Sequence, residues 1–117
     1  MQHETGVPRD VEMRNLTELL EGQGPPLRWI LCATLPDAKV VWRYPRDLDA
    51  GRIAERGAAL LEEGREETLL VSPAEVQIYV PIGARAFVAV ASSDPSRASL
   101  LRSVLRHGVT HTLLAPR

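Results

Sequence analysis

The stretch VQIYVPIGARAFVAVASSDPSRASLLRSVLRHG, residues 76–108, decides the fold of this chain. Apolar residues alternate with their neighbours on both sides of Gly83, as they do in β-strands, and Gly83 suits a hairpin turn that needs a positive φ. Asp94 and Pro95 predict the start of a helix, because an aspartate caps free backbone N–H groups and proline fits the first turn. Leu101 and Leu105 fall on one helical stripe. Gly108 predicts the end of that helix.

Composition is typical of one soluble globular domain. The chain has 117 residues, of which 44% are hydrophobic and 25% charged, so one domain over residues 1–117 is expected, with a loose N-terminus at 1–8 and a tail at 109–117. A net charge of -1 argues against nucleic-acid binding, which needs excess Lys and Arg. No apolar run reaches the roughly 20 residues of a membrane span. The polar first residues resemble no secretory signal, which predicts a cytoplasmic protein.

The rest of the chain supplies four further elements and a short strand-like segment. A helix is predicted to begin at Pro8 or Asp10 and to end at Gly22 to Gly24. Strands are predicted at 27–34, 39–44 and 68–71. A second helix, capped by Asp47 or Asp49, runs to about Glu63 and is closed by Gly64. The predicted order is therefore α-β-β-α-β-β-β-α.

The first strand is apolar on both sides, which predicts how the layers stack. Alternation places one set of side chains on one face and a second set on the other: Leu27, Trp29, Leu31 and Ala33 against Ile30 and Cys32. A strand that is apolar on both sides needs cover on both sides. The fold class is therefore α/β in the broad sense (α+β type), a five-stranded antiparallel sheet with helices on both faces. Cys32, the single cysteine, is expected to be a small buried hydrophobe.

The second helix has a broad apolar arc of about 160°, wider than the roughly 100° of a helix that packs on one surface. Either the helix covers its own sheet and also meets a partner, or it lies deeper in a monomer. If it meets a partner, the residues at the interface would be Ala50, Ile53, Ala54, Gly57, Ala58 and Leu61.

Over residues 10–108 the chain resembles the roadblock, or dynein light-chain, family of the roadblock–longin group. The resemblance is carried by LPDAKVVWRY (35–44), the Ala-rich second helix and the unit at 72–108. The tip of the first hairpin, LPDAK, departs from the family, since many members have a polar or Gly-rich tip there. The resemblance implies a non-enzymatic homodimer that regulates or scaffolds a small Ras-like GTPase or a motor-like assembly. In such dimers the second helices pair and the sheets join edge to edge. Gly57→Leu or Ala54→Arg would then weaken self-association in a folded chain.

A profilin-like sensor domain is the alternative. Such a domain would bind a small molecule between sheet and helix, in a polar pocket that the apolar strands do not indicate. Raised thermal stability with one metabolite would favour it.

No motif predicts catalysis, a cofactor or a metal. His107 and His111 have the i,i+4 spacing of helical metal ligands, but with only His3 remaining a third ligand is not evident. Asp94 in Ser92-Ser93-Asp94 is explained as a helix cap. Arg97, Arg102 and Arg106 form either a basic ridge for an acidic partner or a solvated face. The tail after Gly108 would extend the helix, add an edge strand or dock as an extended segment.

Overall fold

The computed structural model describes residues 6–62 and 66–113. Within these ranges the helices are α1 (Asp10–Gln23), α2 (Ala50–Leu61) and α3 (Ala98–Gly108). The strands are β1 (Leu27–Thr34), β2 (Val40–Tyr44), β3 (Thr68–Val71), β4 (Val76–Ile82) and β5 (Ala86–Ser92). A 3-10 turn (Pro95–Arg97) leads into α3, and a π-helical turn (Val109–Leu113) follows it. The predicted order of elements is confirmed.

The five strands form one antiparallel sheet in the order β2-β1-β5-β4-β3. The β4–β5 hairpin turns at Gly83, whose φ is +65° as predicted. β5 then pairs with both β1 and β4, which places the last strand at the centre of the sheet. As a result β2 and β3 are the two edge strands.

Helices cover both faces of the sheet, as the two-sided apolar pattern of β1 predicts. On one face, α1 and α3 pack on alternate strand residues that include Ile30, Cys32 and Val88. On the other face, α2 packs on the intervening residues, which include Leu31, Phe87 and Ala89. Burial of these two apolar layers against the sheet is the main term that stabilises the fold.

The start of the third helix is built as predicted. The backbone N–H of Ser96 donates to Asp94 Oδ1 at 3.2 Å, and Pro95 occupies the first position of the 3-10 turn. Leu101 and Leu105 are fully buried beneath α1. The α1 helix begins at Asp10, where the backbone N–H of Arg9 donates to Glu12 Oε1 at 2.8 Å.

α3 ends at Gly108, as predicted, but the chain does not leave helical conformation there. The chain continues in helical conformation through Val109 into the π-helical turn. A Cβ at Gly108 would lie 2.4 Å from Leu16 Cδ1 and 2.9 Å from Leu19 Cδ2. The glycine is therefore a point of close approach between α3 and α1. Of the three alternatives for the tail, extension of the helix holds as far as Leu113.

One face assignment in β1 is also wrong. Leu27 packs with Ile30 and Cys32 rather than with Trp29. The pairing of β1 with β5 shifts register between Leu27 and Trp29. An irregularity of this kind changes the face on which the preceding residue lies.

Some predictions fall on residues outside those described. The predicted end of the second helix at Glu63 and Gly64 is one, and Leu114 in the tail is another. Among the described residues, no helix has the length and apolar character needed to cross a membrane.

Candidate functional site

The edge strand β3 leaves its outer side unpaired and exposes two large aliphatic side chains. Leu69 is 44% exposed and Val71 60% exposed. They lie opposite Ile78 and Val76, on the face that carries α1 and α3. Val76 and Ile78 are fully buried, so the apolar layer that the helices cover continues uncovered onto β3. Unpaired strand edges with exposed apolar residues are docking surfaces for other chains.

Thr68 and Leu70 complete the edge on the opposite face. Leu70 packs against the α2 layer. The hydroxyl of Thr68 is buried with no hydrogen-bond partner among the described residues. A buried hydroxyl left in this state carries a desolvation cost of about 1–3 kcal/mol.

Two of the predicted partner-binding arginines hold the start of β3 in place. Arg102 Nε lies 2.6 Å and Arg106 Nε 3.3 Å from the carboxylate of Glu67. Glu67 has only 14% of its side chain exposed, whereas the arginines have 48% and 59%. The guanidinium groups thus form a clamp from α3 to the residue that precedes β3. Arg97 is exposed on the 3-10 turn, outside this clamp.

The structure divides the predicted dimer residues of α2 into two groups. Four face the chain's own sheet and are buried: Ala50, Ala54, Gly57 and Leu61. Ile53 and Ala58 are half-buried on opposite flanks of this buried stripe, since five residues carry an α-helix about 140° past a full turn. Most of the apolar arc of α2 therefore packs against the sheet of the same chain.

Gly57 in particular lets α2 approach the sheet. A Cβ at this position would lie 2.4 Å from Phe87 Cε2 and 3.0 Å from Tyr79 Cδ2. Both rings are fully buried. The expectation that Gly57→Leu leaves a folded chain is therefore incompatible with this packing.

A polar chain joins α2 to the strand next to β3. Arg56 Nη1 donates to Gln77 Oε1 at 3.2 Å, and the Tyr79 hydroxyl donates to the same oxygen at 2.7 Å. Burial raises the pKa of Tyr79 above its ordinary value, an effect that the Arg56 charge opposes. Beside it, a groove of about 110 Å³ is lined by Arg56, Leu70, Val71, Ser72, Glu75 and Gln77. The β3 edge is therefore apolar on one face and bordered by polar groups on the other.

A larger cleft, of about 490 Å³, lies between the C-terminal half of α2 and the tips of the two hairpins. Its apolar lining is Leu35, Pro36, Ala38, Ala58, Ala59, Leu61 and Ala84, and its carboxylates are Asp37, Glu55 and Glu62. Asp37 accepts a hydrogen bond from the Thr34 hydroxyl, which in turn accepts the N–H of Lys39 at 3.1 Å. These bonds hold the hairpin tip that forms one wall.

The remaining candidates for chemistry have structural roles or form no complete site. Asp94 caps the 3-10 turn, and Ser92 is buried and accepts the N–H of Asp94 at 3.1 Å. Cys32 is buried, and burial raises the pKa of its thiol to about 12. His107 and His111 lie side by side with ring centroids 4.3 Å apart. Within residues 6–62 and 66–113, His, Cys, Asp and Glu form no group of three or more that could hold a metal ion.

Sequence reasoning did not identify the apolar edge, the Glu67 clamp or the cleft as functional features. The sequence predicted a short strand at 68–71. Only the order of strands in the sheet shows that this strand lies at an edge.

Comparison with solved structures identifies the fold. A Roadblock/LC7 domain from Streptomyces avermitilis superposes with a TM-score of 0.69 at 18% identity, covering 87% of this chain and 97% of that domain. Myxococcus xanthus MglB superposes with a TM-score of 0.65 at 10% identity, covering 82% and 84%. MglB in a tetrameric arrangement gives 0.57 at 11% identity, covering 95% and 91%. No protein-family profile and no curated protein matches the sequence. The predicted resemblance to roadblock domains is confirmed at the level of the fold.

Proposed function

We propose that this chain is a non-enzymatic interaction module that forms a homodimer and regulates or scaffolds a small Ras-like GTPase or a motor-like assembly. The exposed apolar edge at Leu69 and Val71 is the observation that carries the proposal. The roadblock fold supports it, since the resemblance implies dimers in which sheets join edge to edge. The proposed cellular compartment is the cytoplasm.

The edge suits a two-fold symmetric pairing. In such an interface each copy presents the same surface, so Leu69 and Val71 of β3 would pack against the same residues of a second copy. Antiparallel pairing of the two β3 strands would satisfy the outward backbone groups and join two five-stranded sheets.

The side of α2 would complete the interface. A stable dimer buries about 1,200–2,000 Å² of surface in total, which is more than the edge of a four-residue strand provides. Of the residues predicted from the helical arc, Ile53 is half-buried on the flank of α2 that also carries Arg56, next to β3, and so retains surface for contact. Ala58 is half-buried on the opposite flank, where it lines the cleft at the hairpin tips. The interface we propose is therefore centred on β3, with Ile53 at its side and the buried α2 residues serving the monomer's own core.

Introduction of positive charge at the β3 edge tests the interface. Sedimentation equilibrium of the purified chain is expected to show a dimer. The double variant Leu69→Lys, Val71→Lys is expected to be a folded monomer, because paired β3 strands would bring four positive charges together. Val11→Lys is the matched control, since Val11 is 50% exposed on α1, away from β3. A monomeric wild-type chain, or a double variant that dimerises as well as the control, would refute the proposed interface.

Binding to small Ras-like GTPases tests the role of the dimer. The immobilised wild-type chain is expected to retain a GTPase in one nucleotide state more strongly than in the other. The edge variant then shows whether dimerisation is required. Equal retention of the GDP-bound and GTP-bound forms above the level of a control surface would remove the regulatory role and leave only a scaffold. Retention of both forms at the level of the control surface would remove the GTPase as a partner.

A small-molecule sensor is the second candidate, and the 490 Å³ cleft favours it. That volume lies within the usual range for ligand pockets, about 300–1,000 Å³. Its carboxylates, including Glu55 and Glu62, provide polar groups that the strands themselves lack. A metabolite that raises the melting temperature of the wild-type chain but not of Ala59→Trp, which narrows the cleft, would support a sensor. Equal responses in both proteins would exclude binding in this cleft.

A further inference from the structure

His107 and His111 form a pair of adjacent imidazole rings on the exposed side of the C-terminal helical segment. His107 is in the last turn of α3 and His111 is in the π-helical turn that follows. Both side chains are exposed, and their ring centroids are 4.3 Å apart with an interplanar angle of 43°. The two exposed rings therefore lie in contact on one side of this segment.

The π-helical turn explains why the two rings come so close. In a regular α-helix, four residues advance about 40° past a full turn, so i and i+4 side chains are offset around the axis. A π-helical turn is wider and advances less per residue. The change from α-helix to π-helix between residues 107 and 111 reduces that offset and brings the two imidazole rings together.

The backbone beneath the pair is held firmly. Gly108 and Val109 are buried, and Val109 retains only 5% of its accessible surface. The close approach of Gly108 to Leu16 fixes the segment against α1. The two histidines thus project from a backbone that is packed against α1 at the residues between them.

We propose that His107 and His111 chelate one divalent ion of the Zn²⁺, Ni²⁺ or Cu²⁺ type, each through one ring nitrogen. Two histidines at i,i+4 on one helical face are a recurrent metal-binding arrangement. With metal–nitrogen bonds of about 2.0–2.1 Å, neighbouring ligand atoms lie roughly 3 Å apart, a separation that rings in contact at 4.3 Å reach with small rotations.

The ligand type determines which ions bind. Imidazole nitrogen favours Zn²⁺, Ni²⁺ and Cu²⁺ over Mg²⁺ and Ca²⁺, which prefer oxygen ligands. Water completes the coordination, since residues 6–62 and 66–113 supply no third ligand to the pair. Cu²⁺ is expected to bind the pair more tightly than Ni²⁺ or Zn²⁺. Binding also links the end of α3 to the π-helical turn.

Calorimetric titration of the full chain with ZnCl₂ and with CuCl₂ tests the proposal. One saturable site per chain is expected, tighter for Cu²⁺ than for Zn²⁺, with no site for Mg²⁺. Loss of either imidazole converts a chelate into a single ligand, so His107→Gln and His111→Gln should each weaken binding by roughly tenfold or more, as losses around metal sites do.

The third histidine of the chain provides the control. His3→Gln should bind Zn²⁺ as the wild-type chain does, and circular dichroism should show that all three variants are folded. Saturable binding that survives in both His107→Gln and His111→Gln, that disappears in His3→Gln, or that is absent from the wild-type chain would overturn the proposal.

Discussion

Addition of one methyl group at Gly57 should destabilise the chain, although alanine is the better helix former. The Cβ of Gly57→Ala would lie 2.4 Å and 2.5 Å from two atoms of the Phe87 ring and 3.0 Å from Tyr79 Cδ2. Carbon atoms in contact are normally about 3.5–4.0 Å apart. The ring or the helix must therefore move by roughly 1 Å, within a layer where both aromatic side chains are fully buried.

The expected magnitude follows from two opposing terms. Overpacking a well-filled core typically costs about 1–3 kcal/mol. Because the added Cβ would clash with a rigid aromatic ring, the cost at Gly57 should lie toward the upper part of that range. Alanine regains up to about 1 kcal/mol of helix propensity. The free energy of unfolding should therefore fall by about 1–2 kcal/mol.

Gly51→Ala in the same helix is the matched control. No atom lies within 4 Å of a Cβ at Gly51, so only the propensity term applies, and stability should rise by up to about 1 kcal/mol. Urea denaturation of both variants at one protein concentration gives the two values. A Gly57→Ala chain with a free energy of unfolding equal to or above that of the wild type would refute the tight packing of Gly57 against Phe87. A folded Gly57→Ala chain with normal stability but weaker self-association would restore the interface first predicted for this residue.

Further predictions concern the rest of the core. Leu101→Ala should lower the free energy of unfolding by about 2–5 kcal/mol because Leu101 is fully buried. Arg102→Ala should cost under about 1 kcal/mol in the same denaturation assay, since its ion pair with Glu67 is partly exposed; equal losses would show that α3 is assigned the wrong buried face. Burial raises the pKa of the Cys32 thiol to about 12, so above pH 9 the unfolded chain releases this proton first. Stability should then fall by about 1.4 kcal/mol per pH unit, and less steeply in Cys32→Ala; identical slopes would contradict burial of the thiol.

Local patterns predicted the elements well because the signals lay within each segment. Two-residue alternation marked the strands, and the Asp94 cap marked the start of the last helical segment. Local reasoning placed the end of α3 correctly at Gly108 but did not predict the π-helical turn after it or the packing of the glycine on α1, which is more than 80 positions away in the chain.

Surface roles were harder to predict for the same reason. The apolar arc of α2 indicated a wide buried face, but only the structure shows that Gly57 faces Phe87 rather than a partner. Arg102 and Arg106 indicated a basic ridge, and their shared partner Glu67 precedes them by more than 30 residues. The candidate edge at Leu69 depends on strand order, which no single segment determines.

Hydrogen exchange at the backbone amides of Thr68 to Val71 tests the proposed edge pairing most directly. In an antiparallel sheet, alternate N–H groups of an edge strand point away from its only neighbour. In the dimer these outward amides of β3 should be protected at high protein concentration, and they should exchange faster on dilution and in the Leu69→Lys, Val71→Lys variant. Outward amides that exchange at the same fast rate at every concentration, while the amides bonded to β4 stay protected, would contradict the account.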